Sequence, residues 1–140
     1  MPSQMSVRAV YQQGMHFIAT ASEHSVSLDY PLQPGPTAGA KPLELLLASL
    51  AACAGGTMAL LLNKTQQPVR AMEVLAKAQR RDEHPTVLND ITLEFVIRGT
   101  GVDPSAVERA LAQAEEKVCP VWAMLKGGTR ITATFRLVPE

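Results

Sequence analysis

Lys41-Pro42-Leu43-Glu44-Leu45-Leu46-Leu47-Ala48-Ser49-Leu50-Ala51-Ala52-Cys53-Ala54-Gly55-Gly56-Thr57-Met58-Ala59-Leu60-Leu61-Leu62 is the most ordered pattern in the chain. Pro42 suits a first helical position, and Glu44 suits a first turn, where the helix dipole favours an anion. The Leu and Ala that follow predict a helix over Pro42–Thr65, stopped by Pro68. Its leucines project around nearly the whole circumference, and a helix that is apolar all round must be covered all round. A sheet of about six strands covers one side. The remainder has to come from a second helix and from another copy of the chain. Gly55 and Gly56 weaken a helix relative to Ala, so their presence argues for a close backbone approach, helix against helix. Glu44, Ser49, Gly55, Gly56 and Thr57 interrupt the apolar run and no basic belts flank it, which fits a buried core helix better than a membrane span.

Upstream lies a loop, Tyr30 to Pro42, with prolines at 31, 34, 36 and 42. Before it, Met5 to Tyr11, His16 to Ala21 and Ser25 to Asp29 read as strands, separated by turn signals at Gly14 and Ser22–Glu23–His24. Downstream, Val69 to Arg81 and Thr86 to Gly99 read as two long strands around a turn at Asp82–Pro85. In the second, Ile91, Leu93, Phe95 and Ile97 alternate with Thr92, Glu94, Val96 and Arg98. Asp103–Pro104 is a helix start, with an Asp cap and Pro at the first position. Val107, Ala110, Leu111, Ala114 and Val118 follow at helical spacing, until Cys119–Pro120 interrupts. A short helix to Lys126, a stop at Gly127–Gly128 and a strand over Thr129 to Val138 complete the chain. The order β-β-β-α-β-β-α-β predicts an α+β architecture in one domain spanning 1–140.

The chain has 140 residues, 46% of them apolar but few aromatic, so Leu, Val, Ile, Ala and Met must fill the core. Thirteen basic and thirteen acidic residues cancel and are scattered. No basic surface points to nucleic acid or to an anionic membrane. Met1 to Val10 lacks the apolar segment of a signal peptide, which predicts a cytoplasmic protein whose thiols are held reduced. Two cysteines in that compartment are either inert small hydrophobes or reactive groups. No two of His16, His24, His84, Cys53 and Cys119 stand at zinc-ligand spacing.

Cys53 sits among small residues in the core helix, where an inert buried cysteine and a reactive one both fit. Cys119 precedes Pro120 at a helix start, near free amides and the positive end of a helix dipole, an environment that lowers a thiol pKa. A mere cap at a helix break fits it equally well. The two are 66 positions apart, so there is no CxxC motif and only the fold can bring them together. Ser49 and Thr57, four residues either side of Cys53, share its helix face. They could donate to a thiolate or bond back to their own helix.

Gly35-Pro36 followed by Lys41-Pro42-Leu43-Glu44-Leu45 through Cys53, His84-Pro85 ahead of a long strand, and Glu115 through Cys119-Pro120-Val121-Trp122 resemble, in order, the segments of the OsmC/Ohr superfamily of osmotically inducible and organic hydroperoxide resistance proteins. The resemblance implies an intertwined homodimer in which sheets of two subunits wrap central helices. It implies that Cys53 is the peroxidatic thiol and Cys119 the resolving thiol. It also implies an organic hydroperoxide substrate, a dithiol reductant such as dihydrolipoamide or a lipoylated protein, a role in oxidative stress defence, and no metal, haem or flavin cofactor.

The resemblance departs from the hydroperoxidases at one acid and one base. Their glutamate stands ten positions before the cysteine, where this chain has Leu43. Glu44 stands nine before, on the opposite side of a straight helix from Cys53. Their thiolate-stabilising arginine is N-terminal, where this chain offers only Arg8 ahead of Arg70. Two functions are therefore expected to compete. One is a cysteine-based hydroperoxide reductase. The other is a non-enzymatic dimeric module that holds a small hydrophobic ligand in an apolar interface pocket. Sulfurs close enough to form a disulfide would favour the first.

Overall fold

The computed structural model describes residues 3–140. The chain divides after Leu46 into two compact units. In the first, β1 (Arg8–Gln13), β2 (His16–Ala21) and β3 (His24–Leu28) form an antiparallel sheet in that order. Val10 pairs with Ile18, and Ile18 in turn with Ser27. The β2–β3 turn is the pair Ser22–Glu23, at φ 48° and 71°. Both values are left-handed, as a two-residue turn matched to strand twist requires. Asp29 then organises the proline-rich loop, its carboxylate accepting from the amides of Tyr30 and Ala38 at 2.8 and 2.9 Å.

Helix α1 (Pro42–Lys64) begins as its sequence dictates. Pro42 occupies the first turn, and the Lys41 amide donates to Glu44 Oε1 at 2.8 Å. That is the back-bond of a capping box, which satisfies an amide the helix itself cannot reach. By length and composition α1 could cross a membrane, with mean hydropathy 2.1. Leu50, Ala54, Thr57, Met58 and Leu62 are its buried residues. Gly55 sits against β4, where a Cβ would come 2.9 Å from Val74 Cγ2. Within one chain, the close approach at Gly55 is helix against strand, and a Cβ on Gly56 would have no neighbour within 4 Å.

The second unit continues with β4 (Ala71–Arg80), β5 (Leu88–Arg98), α2 (Pro104–Gln113), a π-helical turn (Ala114–Val118), α3 (Pro120–Leu125) and β6 (Arg130–Val138). Its sheet has the order β4-β5-β6, with β5 antiparallel to β4 and parallel to β6. Two parallel neighbours cannot be joined by a hairpin. The α2–α3 segment provides the crossover, with α2 packed on β6. Central β5 carries the alternation read from its sequence, and Leu93, Phe95 and Ile97 are fully buried. Asp103 caps α2 through Ser105 N at 3.0 Å, with Pro104 in the first turn.

The α+β order is the one expected, in two sheets of three strands rather than one of about six. Hairpins tie β1 to β2 and β2 to β3. The proline-rich loop that follows returns to β3 through a single parallel bridge, Leu28 with Ala40.

Candidate active site: a pair of thiols

Cys53 lies in the middle of α1, at the border between the buried face carrying Leu50, Ala54 and Thr57 and the exposed face carrying Ala52 and Gly56. It is half-buried and not in a disulfide. Cys119 is only 1% exposed. Its position follows from a local conflict. Helical spacing continues past α2 to Val118, but Pro120 forbids a helical conformation in the residue before it. The chain resolves this with the π turn. The Cys119 amide donates to Ala114 O, five residues back, at 3.0 Å, and Cys119 itself is extended at φ −76° and ψ 109°. It then becomes the residue that opens α3, with Pro120 in its first turn.

These two placements bring the thiols into contact. Cys53 is a side-chain hydrogen-bond partner of Cys119. Burial pushes the Cys119 thiol above its ordinary value of 9.0. The Trp122 amide opposes this, the hydrogen bond and the charge of Cys53 add to it, and the Val121 amide opposes it again. Those two amides face the sulfur without closing a conventional helix cap. The dipole argument from the sequence expected a lowered value. Desolvation overrides it, because taking charge out of water costs more than two partial charges return. Cys119 is therefore a thiol at neutral pH, set beside the sulfur of Cys53.

This titration has a consequence for stability. A thiol whose folded pKa lies above its unfolded value holds its proton more tightly in the native state. The stability it supports is complete below the unfolded value and is lost as pH rises through the folded one. In reductant, the urea midpoint of the protein is expected to fall more steeply above pH 9.0 than that of Cys119→Ser. Parallel curves from pH 8 to pH 11 would contradict the burial of this thiol.

The other candidate residues lie elsewhere or have other work. Glu44 is engaged by the Lys41 amide, as a first-turn cap. Arg80 donates to Thr86 Oγ1 at 2.9 Å, and Arg81 pairs with Glu83 at 3.6 Å, both at the β4–β5 turn. No cation is among the groups that bear on Cys119. Thr57 is buried and Ser49 exposed. Arg8 begins β1 in the first unit. That unit holds a cleft of about 660 Å³ between the β1–β2 turn and the proline-rich loop, with His16 and Asp29 in its wall and neither cysteine lining it. Sequence reasoning missed the π turn. The signal was available, since a helical pattern running straight into X-Pro must end in some irregular turn. It also missed Trp122, the only tryptophan, which is 1% exposed with its indole Nε1 buried and without a partner among the described residues.

The chain is similar to known proteins over most of its length. The family model described as OsmC-like protein matches residues 35–134. Protein YhfA of Escherichia coli K12 is 30% identical over 135 residues, covering 96% of this chain and 98% of its own length. The crystal structure of a hypothetical protein from Aquifex aeolicus superposes with a TM-score of 0.89 at 27% identity, covering 99% of both chains. That of an organic hydroperoxide resistance protein OsmC from Legionella pneumophila does so with a TM-score of 0.71 at 17% identity, covering 95% of this chain and 96% of that one.

Proposed function

The chain belongs to the OsmC-like protein family, and from that membership and its paired thiols we propose that it is a cysteine-based peroxidase that reduces organic hydroperoxides in oxidative stress defence. The observation that carries this reading is that Cys53 and Cys119, 66 positions apart, lie close enough for Cys53 to bear on the titration of Cys119.

In the proposed cycle the Cys53 thiolate attacks the distal peroxide oxygen. The O–O bond breaks, the alcohol leaves with a proton, and Cys53 becomes a sulfenic acid. The Cys119 sulfur then attacks the Cys53 sulfur, an S–S bond forms, the S–O bond breaks and water departs. A dithiol such as dihydrolipoamide, free or protein-bound, is oxidised to its disulfide and returns both cysteines to thiols. Burial first, and the neighbouring Cys53 after it, hold the proton on Cys119, so Cys119 stays a thiol until it resolves the sulfenic acid. The Leu-rich surroundings of α1 favour an alkyl hydroperoxide over hydrogen peroxide, because the alkyl group gains from burial.

We place the protein in the cytoplasm and as a homodimer. Ala52, Gly56, Ala59 and Leu60 lie on an exposed face of α1, with Leu60 half exposed. An apolar helix face of this kind is stable in water only when covered. Sedimentation at micromolar concentration is expected to give a species of two chains, with an interface above the standard size of about 1,600 Å². A monomer would refute this.

A second reading keeps the dimer and drops the chemistry: a module that holds a small hydrophobic ligand at the interface. It is favoured by Glu44, which is spent on its helix cap, and by there being no cation among the described residues of the chain that acts on Cys119. Titration of the reduced protein with cumene hydroperoxide separates the two. Because Trp122 lies in α3, three residues after Cys119, closure of the disulfide is expected to change its fluorescence with the stoichiometry of one peroxide per chain. No change, with both thiols still free, selects the binding module.

A further inference from the structure

The conflict that creates the π turn leaves a main-chain group exposed to loss. Along a helix, the Glu115 carbonyl would accept from the amide of Cys119, or in a π turn from that of residue 120. The Cys119 amide is already given to Ala114 O. Residue 120 is a proline and has no amide. Neither helical donor is available. Lys126 takes their place, and its Nζ donates to Glu115 O at 3.0 Å. Lys126 is also the residue that closes α3, its own amide bonded to Trp122 O at 3.0 Å. One lysine therefore ties the end of α3 back to the π turn, across the extended Cys119–Pro120 junction. Its positive charge sits where helix carbonyls gather, which the dipole favours.

We propose that Lys126 is the positioning residue of the resolving thiol. By bridging the elements on both sides of Cys119, it fixes the direction in which that sulfur points and keeps it against Cys53. In the resolving step, where the Cys119 sulfur attacks the Cys53 sulfenic acid and expels water, the lysine touches no reacting atom. It acts through the geometry of Cys119 alone. The role it plays in the cycle rests on the peroxidase reading; its role in pairing the thiols does not.

The test uses the full chain as wild type, Lys126→Met and Lys126→Arg. The first measurement is the effective concentration of the thiol pair, from its disulfide equilibrium with oxidised and reduced dithiothreitol, which needs no peroxide. Lys126→Met is expected to lower it by about two- to fivefold, the effect of one charge-assisted hydrogen bond to a solvent-exposed carbonyl. Lys126→Arg, which still presents a donor, is expected to recover most of it. The second measurement follows Cys53 by mass spectrometry after cumene hydroperoxide. Sulfenic acid should form at the wild-type rate in Lys126→Met and disappear more slowly. An effective concentration unchanged in Lys126→Met, or lowered equally in both variants, overturns the proposal. So does a wild-type pair that forms no disulfide even in fully oxidised dithiothreitol. If the pair closes with dithiothreitol and responds to Lys126→Met as expected, yet hydroperoxide yields no sulfenic acid, the peroxidase reading fails and the positioning role stands.

Discussion

Replacing Cys53 by serine is expected to bring consumption of an organic hydroperoxide down to the uncatalysed rate, whereas replacing Cys119 allows one turnover and no more. The difference follows from where the sulfurs sit. Cys53 is the less buried of the two, half-buried on α1. Cys119 is almost wholly buried and holds its proton above the ordinary thiol range. A protonated thiol is a poor nucleophile, so first attack belongs to Cys53. With Cys119→Ser the product of that attack has no resolving partner. One equivalent of hydroperoxide is consumed per chain, Cys53 carries one added oxygen, and excess peroxide drives it on to the sulfinic acid. Mass spectrometry of each single variant reads this directly. Oxygen gained by Cys119 in the Cys53→Ser chain would invert the assignment. If neither cysteine is oxidised under conditions that oxidise a free thiol, the binding module replaces the enzyme.

The largest loss of stability is expected from Phe95→Ala, at about 3–5 kcal/mol. Phe95 is fully buried in β5, the central strand, paired with Val74 of β4 on one side and Phe135 of β6 on the other. Truncation forfeits the transfer of an aromatic ring out of water. It also leaves a cavity that a strand held by neighbours on both sides cannot close. Against a total of about 5–15 kcal/mol for a protein of ordinary stability, the variant stands near unfolding. Val74 is also the seat of Gly55, two residues from Cys53. Loosening this layer should therefore weaken the thiol contact before the unit unfolds. Urea denaturation in reductant, followed by Trp122 fluorescence, measures the cost. Leu75→Ala is the control. Leu75 neighbours Val74 on β4 but is 42% exposed, and its loss should cost well under half as much. Equal costs would show that β5 is not the centre of the core.

What the amino-acid sequence determined alone is the order and kind of the elements. Pro42 and Glu44 open α1, Asp103 and Pro104 open α2, the period-two run Ile91 to Ile97 makes β5, and Cys119–Pro120 breaks a helix. Each is a rule about neighbours within a turn or a strand, so each can be read without knowing the fold. The same local rules named Cys53 and Cys119 as candidates, yet left each suspended between an inert and a reactive role. The tertiary structure decided the rest. It divided the strands into two sheets, seated Gly55 on a strand of its own chain, and spent Glu44 on a cap. Above all it set Cys119 against Cys53 and reversed the expected direction of its titration. Contact and burial between residues so far apart depend on how the crossover from β5 to β6 folds over α1, and desolvation depends on everything packed around the sulfur. Neither quantity is carried by spacing along the chain, which is why the pair became a site only in three dimensions.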